Sequence, residues 1–500
     1  TLKEVTSSTQ SASIGYNALE KSVIAGAIGF ALIFILMIAA YRFLGLIANV
    51  ALLLYIILVL WAMAFSGSTL TLPGIAGIIL GIGMAVDANV IIFARIKEEI
   101  CAGKSIRVAV DAGFKNALST VLDAQITTLI AAVVLYEVGT TSVKGFALTL
   151  MIGIIISIFT AVVITQLFIS LLANSPKFAK NKYFGVNEDG TPKQMLNKTF
   201  SFIKHRKIFY IVSVSIIVIG LLWSVIFGMN YGIDFTGGTT IQVDLGKQVA
   251  IEDVEKTLKD YELDPQIIYA GEGNTQVVIK TIKSLDNAGR NEVINTLEQA
   301  YGITEDDVLA SEQFGPSVGD ELKVNALKAI IIASIGMLIY IIFRFKSWKY
   351  GFSAVAGVVH DVLIVIAFYA IFGFTVNNPF IAAILTLVGY SINDTIVIFD
   401  RIRENKALHT RDNSEVNIDR SINQTLNRTI MTSLTTLVVM VPLCIMVSSS
   451  IREFIIPLMV GVIVGCCSSI FICSPLYYDL CKKDEGSKYL KSTAKKAKTK

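Results

Sequence analysis

The stretch Gly83-Met-Ala-Val-Asp87-Ala-Asn89-Val-Ile-Ile-Phe93-Ala-Arg95-Ile-Lys-Glu98 returns 306 positions later as Gly389-Tyr-Ser-Ile-Asn393-Asp394-Thr-Ile-Val-Ile-Phe399-Asp-Arg401-Ile-Arg-Glu404. Glycine, isoleucine, phenylalanine, arginine and glutamate recur in register, and each copy carries a carboxylate inside an apolar run that ends at arginine. An ionised aspartate in hydrocarbon costs about 3 kcal/mol or more unless it is paired or hydrated, so an intramembrane acid is by default a functional group. An aspartate that merely caps or packs helices is the structural alternative. Two acid-bearing spans at matched depth weigh against it.

The surrounding composition is that of a polytopic membrane protein. Of 500 residues, 54% are apolar and 16% charged, and the mean hydropathy is +0.65, which excludes an ordinary soluble globule. The six cysteines, Cys101, Cys444, Cys466, Cys467, Cys473 and Cys481, fall in or beside apolar runs. They read as packing residues, with no disulfide framework. No metal-ligand spacing, nucleophile elbow or phosphate loop occurs, so the sequence makes no case for an enzyme, a metal or another cofactor. The chain opens at Thr1 without a signal segment and is expected to be a fragment or a processed start.

Apolar runs near the length needed for a hydrocarbon slab of about 30 Å lie at 22–41, 44–65, 74–94, 118–136 and 145–173, then at 208–228, 324–343, 351–373, 379–399, 428–447 and 454–478. The fold class is therefore a polytopic α-helical membrane protein of about eleven spans. Its polar connections differ in basic content: 174–207 holds eight Lys or Arg, 95–117 five, 400–428 six and the tail after Asp479 eight, whereas 66–72 and 374–378 hold none. The positive-inside rule puts the basic connections in the cytoplasm, and with them the C-terminus; the N-terminus and the polar insertion at 230–320 then lie outside. Gly74, Gly77, Gly81 and Gly83 in the third span, and Gly461 and Gly465 in the last, mark helices that pack closely in the bundle.

The insertion reads as an α+β unit. Strand-like runs at Thr240–Leu245, Gln266–Tyr269, Gln276–Lys280 and Val308–Phe314 alternate with helical runs near 251–261 and 286–301, the βαββαβ order of a ferredoxin-like domain. It carries 17 acidic and 6 basic residues, a net charge near −11 that suits solvent or a basic partner equally.

The repeat extends past the acid-bearing spans. Leu118-Ser-Thr-Val-Leu-Asp123-Ala-Gln125-Ile-Thr127-Thr128-Leu129 aligns with Leu426-Asn-Arg428-Thr-Ile-Met-Thr432-Ser433-Leu-Thr435-Thr436-Leu437, and Ser13-Ile-Gly15 with Ser317-Val-Gly319. Two homologous halves of like orientation form parallel repeats, with room for a site between them. The expected organisation is a five-helix membrane half at 1–173, a basic linker at 174–207, a first helix of the second half at 208–229, the α+β domain at 230–320, a five-helix half at 321–480 and a basic tail at 481–500.

These motifs resemble a known family. Val86-Asp87-Ala88-Asn89 with Phe93-x-Arg95-Ile-Lys-Glu98, and Leu122-Asp123-Ala124-Gln125-Ile126-Thr127-Thr128, look like the SecD part of the SecD/SecF protein-export membrane proteins, within the resistance-nodulation-division superfamily. Asp234-Phe-Thr-Gly-Gly238, Gly315-Pro-x-x-Gly319, His360-Asp361, Gly389-Tyr-Ser-Ile-Asn-Asp394-Thr and Arg428-Thr-x-x-Thr-Ser433 are similar to the SecF part. The resemblance covers nearly the whole chain and implies a fused arrangement from which the first span and the large external domain of the SecD half are missing. Where the second half has Gly315-Pro316, the first has Ser11-Ala-Ser, a departure from the pattern. What the resemblance implies is an accessory of protein export in a prokaryotic cell membrane. Such a subunit binds the Sec translocon channel (SecYEG) and draws preprotein across with the proton motive force, or a sodium gradient; its partners also include membrane lipid but no nucleic acid.

By that resemblance the proton-relay positions are Asp87, Asp394 and Arg428. Asn89, Asp123, Gln125, Asn393 and Thr432 are supporting polar groups that hydrate or bond the relay, with interhelical bonding as the alternative role. His360 and Asp361 read as a satisfied core pair before a second relay, and Arg95 and Arg401 as side chains snorkelling to the inner headgroups. The lysine-rich tail is expected to lie disordered near anionic lipid. Two functions compete with export assistance: a proton-driven efflux transporter of the resistance-nodulation-division type, and a passive scaffold for translocon subunits, which would not need the acids. The orientation has a direct check. A cysteine introduced at Gly67 or Ser450 should react with an impermeant thiol reagent from outside the cell, and labelling from the cytoplasm alone would invert the topology.

Overall fold

The computed structural model describes residues 6–175, 178, 180–187, 199–447 and 449–482, so the lysine-rich tail lies outside the described residues. Among these residues, eleven helical spans are long and apolar enough to cross a membrane. The first half contains α1 (Ala12–Tyr41), α2 (Phe43–Phe65), α3 (Leu72–Cys101), α4 (Ile106–Val138) and α5 (Thr141–Phe159), which runs through a π-helical turn (Thr160–Ile164) into α6 (Thr165–Ala173). After α7 (Arg206–Phe227) the chain enters a small α+β domain. It returns as α11 (Pro316–Phe345), α12 (Trp348–Phe372), α13 (Asn378–Leu408), α14 (Ser414–Met446) and α15 (Ser449–Ser468), the last again continued by a π turn (Ser469–Cys473).

The two acid-bearing helices are the innermost. Of the most apolar window of α3, 94% is buried inside the protein, and of α13, 89%, against 6% for the window of α7. Both begin alike. Thr71 caps α3 through the Gly74 amide and Asn377 caps α13 through the Phe380 amide, with Pro73 and Pro379 in the first turn, where a missing N–H is tolerated. Glycine then sets their depth. A Cβ on Gly83 would stand 3.0 Å from the Thr436 hydroxyl, and one on Gly389 would stand 3.0 Å from the backbone of Thr128. Each acid-bearing helix thus packs against the threonine-bearing helix of the other half, α3 on α14 and α13 on α4. The halves are interlocked rather than side by side.

The α+β domain contains α8 (Ile233–Thr236), β2 (Gly238–Asp244), α9 (Ile251–Thr257), β3 (Gln266–Ala270), β4 (Gln276–Thr281), α10 (Asn287–Tyr301) and β5 (Val308–Phe314). Every strand pairing is antiparallel. Ile241, Val243, Val277 and Ile279 from the sheet meet Val254, Leu258, Val293 and Leu297 from the helical side in a core separate from that of the membrane bundle. One element departs from the expected boundaries. The sheet order is β1-β5-β2-β4-β3, and the outermost strand, β1 (Thr6–Gln10), comes from the start of the chain, so the first half is not purely membrane-embedded. Its sequence, Thr-Ser-Ser-Thr-Gln, has no apolar face and lies mostly exposed. The unpaired backbone groups at the edge of β5 recruit it, aided by bonds from Ser8 and Gln10 to Glu312 and from Arg290 to Ser7, a signal absent from hydropathy.

The membrane helices also outrun their apolar runs. α3 and α13 continue to Cys101 and Leu408, and α4 and α14 begin at Ile106 and Ser414, before the runs read from sequence. Charged Lys, Arg and Glu end a hydropathy window but are good helix formers.

The root of the domain is strapped to the loop before α13. Gly232 N donates to Val376 O and Val376 N to Asn230 O, both at 2.8 Å, while Asp234 Oδ2 accepts the Asn378 amide at the start of α13, also at 2.8 Å. Gly319 of α11 packs 2.7 Å from the Phe235 carbonyl by its would-be Cβ, closing the clamp from the other side. Burial outweighs the Asn378 amide and the distant charge of Lys280, and pushes the Asp234 carboxyl up to about 6.

Two outcomes are expected. Residues 230–315 expressed alone should melt cooperatively with an α+β circular-dichroism spectrum, because their core is internal; a mostly helical spectrum would contradict the fold. For Asp234, a raised folded-state value means that the docked carboxyl holds its proton more tightly than the unfolded chain. Its stabilising contribution is full below about pH 4 and is lost as pH rises through about 6, with a ceiling of about 3 kcal/mol. Thermal unfolding in detergent across that window should show a smaller pH dependence for Asp234→Asn than for the parent chain.

Candidate proton relay between the two halves

Asp87 and Asp394 lie 15 and 16 residues into α3 and α13, which at about 1.5 Å per residue places both a little over 20 Å from the helix starts. Asp87 is 2% exposed and Asp394 8%. Neither faces lipid. α14 lies against both helices and supplies their hydroxyls: Thr435 Oγ1 donates to Asp87 Oδ1 at 3.2 Å, and Thr432 Oγ1 donates to Asp394 Oδ1 at 3.2 Å. Tyr390, one turn before Asp394, points the other way along the cluster and donates to Asp87 Oδ2 at 3.1 Å, with its oxygen 2.8 Å from Thr436 Oγ1. The carboxylates of the two halves are thus joined through one helix.

This arrangement has two settings. A threonine hydroxyl carries one proton, yet Thr435 has its own helix carbonyls at Met431 and Thr432, 3.0 and 2.7 Å away, as well as Asp87. Thr432 likewise has Thr429 O at 2.9 Å besides Asp394. An ionised carboxylate is the stronger acceptor and draws the hydroxyl across to α3 or α13. A protonated one releases it to α14, since a back-bond to the preceding turn is always at hand. One proton therefore changes which helices are hydrogen-bonded to each other.

Arg428 is 9% exposed and enters the same cluster without touching either acid: among the described residues no ion pair within 4.0 Å joins it to Asp87 or Asp394. Its charge acts on Asp394 and, on its other side, on Arg95, Glu98 and Asp400. It stands between the acids and a second charged layer. There Arg95 bonds Glu404 and Glu98, both at 2.9 Å, and Asp400 at 3.3 Å, while Arg401 bonds Glu98 at 3.1 Å and Glu404 at 3.0 Å. The expectation that Arg95 and Arg401 snorkel to headgroups is overturned. Both side chains are nearly buried, 12% and 14% exposed, because the crossed packing of α3 and α13 turns them inward onto the acids of the opposite half.

Of the supporting residues, Thr432 joins the cluster. Asp123 does not: it accepts from Tyr340 Oη at 2.7 Å and from Arg344 Nε at 2.6 Å, tying α4 to α11. Asn89 bonds Ala85 O at 3.3 Å and accepts from Thr165 at 2.9 Å, which holds the π turn of the first half against α3. Gln125 Oε1 and Asn393 Oδ1 are buried without a partner among the described residues. Tyr390, Thr435 and Thr436 were not singled out by sequence, although Tyr390 precedes Asp394 by four positions and so shares its helix face.

The chain has recognisable relatives. The family described as "Protein export membrane protein SecD/SecF, C-terminal" matches residues 2–175 and 294–483, and the "SecD/SecF GG Motif" matches 222–249, which contains Gly237 and Gly238. The protein translocase subunit SecDF of Bacillus subtilis (strain 168) is 39% identical over 491 residues, covering 95% of this chain and 66% of that protein. The crystal structure of SecDF from Thermus thermophilus, described as a translocon-associated membrane protein, superposes with a TM-score of 0.88 at 35% identity, over 96% of this chain and 65% of that one. SecDF in its super-membrane-facing form gives 0.75 at 34% identity, over 95% and 64%. The chain spans about two thirds of the length of these relatives. A SecD-like half and a SecF-like half, matched in sequence and superposed in fold, make this chain a member of the SecD/SecF family of protein-export membrane proteins.

Proposed function

We propose that this chain is the ion-driven membrane part of an accessory subunit of Sec protein export, and that Asp87, Asp394 and Arg428 carry the proton that drives it. The observation that supports it most is the sharing of α14 hydroxyls between two buried carboxylates of opposite halves. Protonation of Asp87 frees α14 from α3 of the other half, protonation of Asp394 frees it from α13 of its own half, and the gradient sets the direction. Moving one charge through 100 mV supplies about 2.3 kcal/mol, enough to shift a balanced two-state element by more than tenfold. The Asp234 clamp carries a displacement of α13 into the sheet domain, which on this reading lies on the external side, with the C-terminus cytoplasmic. There the domain meets preprotein emerging from the SecYEG channel. The chain performs no catalysis on this reading; it couples ion movement to a change of shape.

Efflux is disfavoured because the matches are to protein translocase subunits, and a passive scaffold leaves the buried acids without a purpose. The decisive experiment uses Asp87→Asn and Asp394→Asn, both close in volume to the native residue. Each should abolish the gradient-dependent part of export in proteoliposomes while still copurifying with the translocon. Arg428→Leu should do the same. Full gradient-dependent export by any of the three would exclude the relay, and loss of copurification would move the defect to assembly.

A further inference from the structure

A further buried carboxylate, Asp361, lies outside the cluster described above. Asp361 is 0% exposed and sits at the middle of α12, 13 residues from Trp348 and 11 from Phe372. Its Oδ2 accepts from Ser391 Oγ of α13 and, at 2.8 Å, from Ser468 Oγ of α15, while its Oδ1 lies 2.9 Å from Nδ1 of the adjacent His360. An ionised carboxylate only accepts, so with Asp361 ionised Nδ1 is the protonated nitrogen and Nε2 carries the lone pair. That Nε2 is buried and has no partner among the described residues. The pair then holds one negative charge in the centre of the bundle. A proton taken up at Nε2 leaves an imidazolium beside a carboxylate, with no net charge.

The neighbours offer nothing else to balance that charge. α15 and its π turn face it with Ser468 and the uncharged thiols of Cys467 and Cys473, α13 faces it with Ser391, and the central stretches of α7 (209–227) and α11 (329–343) contain no charged residue. The π turn begins at Ser469, next to Ser468, and Ser469 Oγ lies 2.7 Å from Thr395 Oγ1. Such turns recur at functional positions in helices. The fold itself does not call for the pair: at the repeat spacing of 306, the first half has Leu54 and Tyr55 in place of His360 and Asp361.

We propose that His360 and Asp361 form a second proton-binding site, present in one half only and linked to the Asp394 cluster through α13. Ser391 precedes Asp394 by three residues, less than one helical turn. Asp394 accepts from Thr432 of α14 while Ser391, on a neighbouring part of the same helix surface, donates to Asp361 of α12, and a shift of α13 that follows protonation of Asp394 alters the Ser391 bond. Only this linkage rests on the function proposed above; proton binding by the pair stands by itself.

The test is nitrogen-15 imidazole NMR on the full chain in lipid nanodiscs, with His205→Gln and His409→Gln leaving His360 as the one histidine. The Nε2 resonance should move from its unprotonated to its protonated position as the pH is lowered across the range in which the nanodiscs are stable. Asp361→Asn should move the midpoint by about one pH unit or more, and Ser391→Ala, which keeps the carboxylate, should move it by less. By reciprocity Asp394→Asn should move it too. A resonance constant across that range overturns the site, whatever the export assays give. Titration that ignores Asp394→Asn overturns the linkage while leaving the site. A midpoint unchanged by both Asp361→Asn and Ser391→Ala shows an imidazole that titrates alone and overturns the pair.

Discussion

Two carboxylates held in a dry helical bundle need donors, and the position of α14 follows from that need. Thr432 and Thr435 lie three residues apart on one helix, so their hydroxyls leave the same flank and reach Asp394 and Asp87 respectively. Moving α14 away would take Thr432 from Asp394 and leave Asp87 with Tyr390 alone, at a cost of about 1–3 kcal/mol for each lost bond. The close packing of Gly83 on Thr436 serves the same end, since any side chain at position 83 would push α3 off α14. Packing and electrostatics therefore depend on one interface.

The doubled plan supplies the frame, and departures from it supply the site. Arg95 with Glu404 and Arg401 with Glu98 are one ion pair written twice, related by the repeat, and they join the halves symmetrically. The relay cluster has no such twin. Asp394 corresponds to Ala88, Tyr390 to Met84 and Arg428 to Thr120, whose hydroxyl instead bonds Asp400 at 3.2 Å. On the proposed function, a symmetric frame would let the halves move against each other as similar bodies, with the one-sided polar cluster as the trigger.

On the proposed reading, transmission out of the bundle uses the two ends of α13. At one end Asp234 and Asn377 hold its first amides, and Asn377 also hydrogen-bonds Glu453 of α15. At the other end Asp400, Arg401 and Glu404 engage the partner half. A helix of 31 residues pinned at both ends and carrying the acid between them is a rigid lever. The sheet domain attached at its start has its own core, separate from that of the bundle.

The sequence by itself determined the membrane class, the eleven spans, the doubling, the βαββαβ insertion and the two central acids. Each of these is a local or periodic property: apolar length, spacing of 306, strand and helix order. Partners across the bundle belong to no such pattern. That Asp123 answers to Arg344, that Arg95 and Arg401 turn inward, and that Tyr390 reaches Asp87 from the other half were decided by how α3, α4, α13 and α14 cross. Nor does any periodicity announce β1, a polar strand drawn in by the open edge of β5. Hydropathy records how each helix meets its solvent, and only tertiary packing fixes which buried polar group meets which.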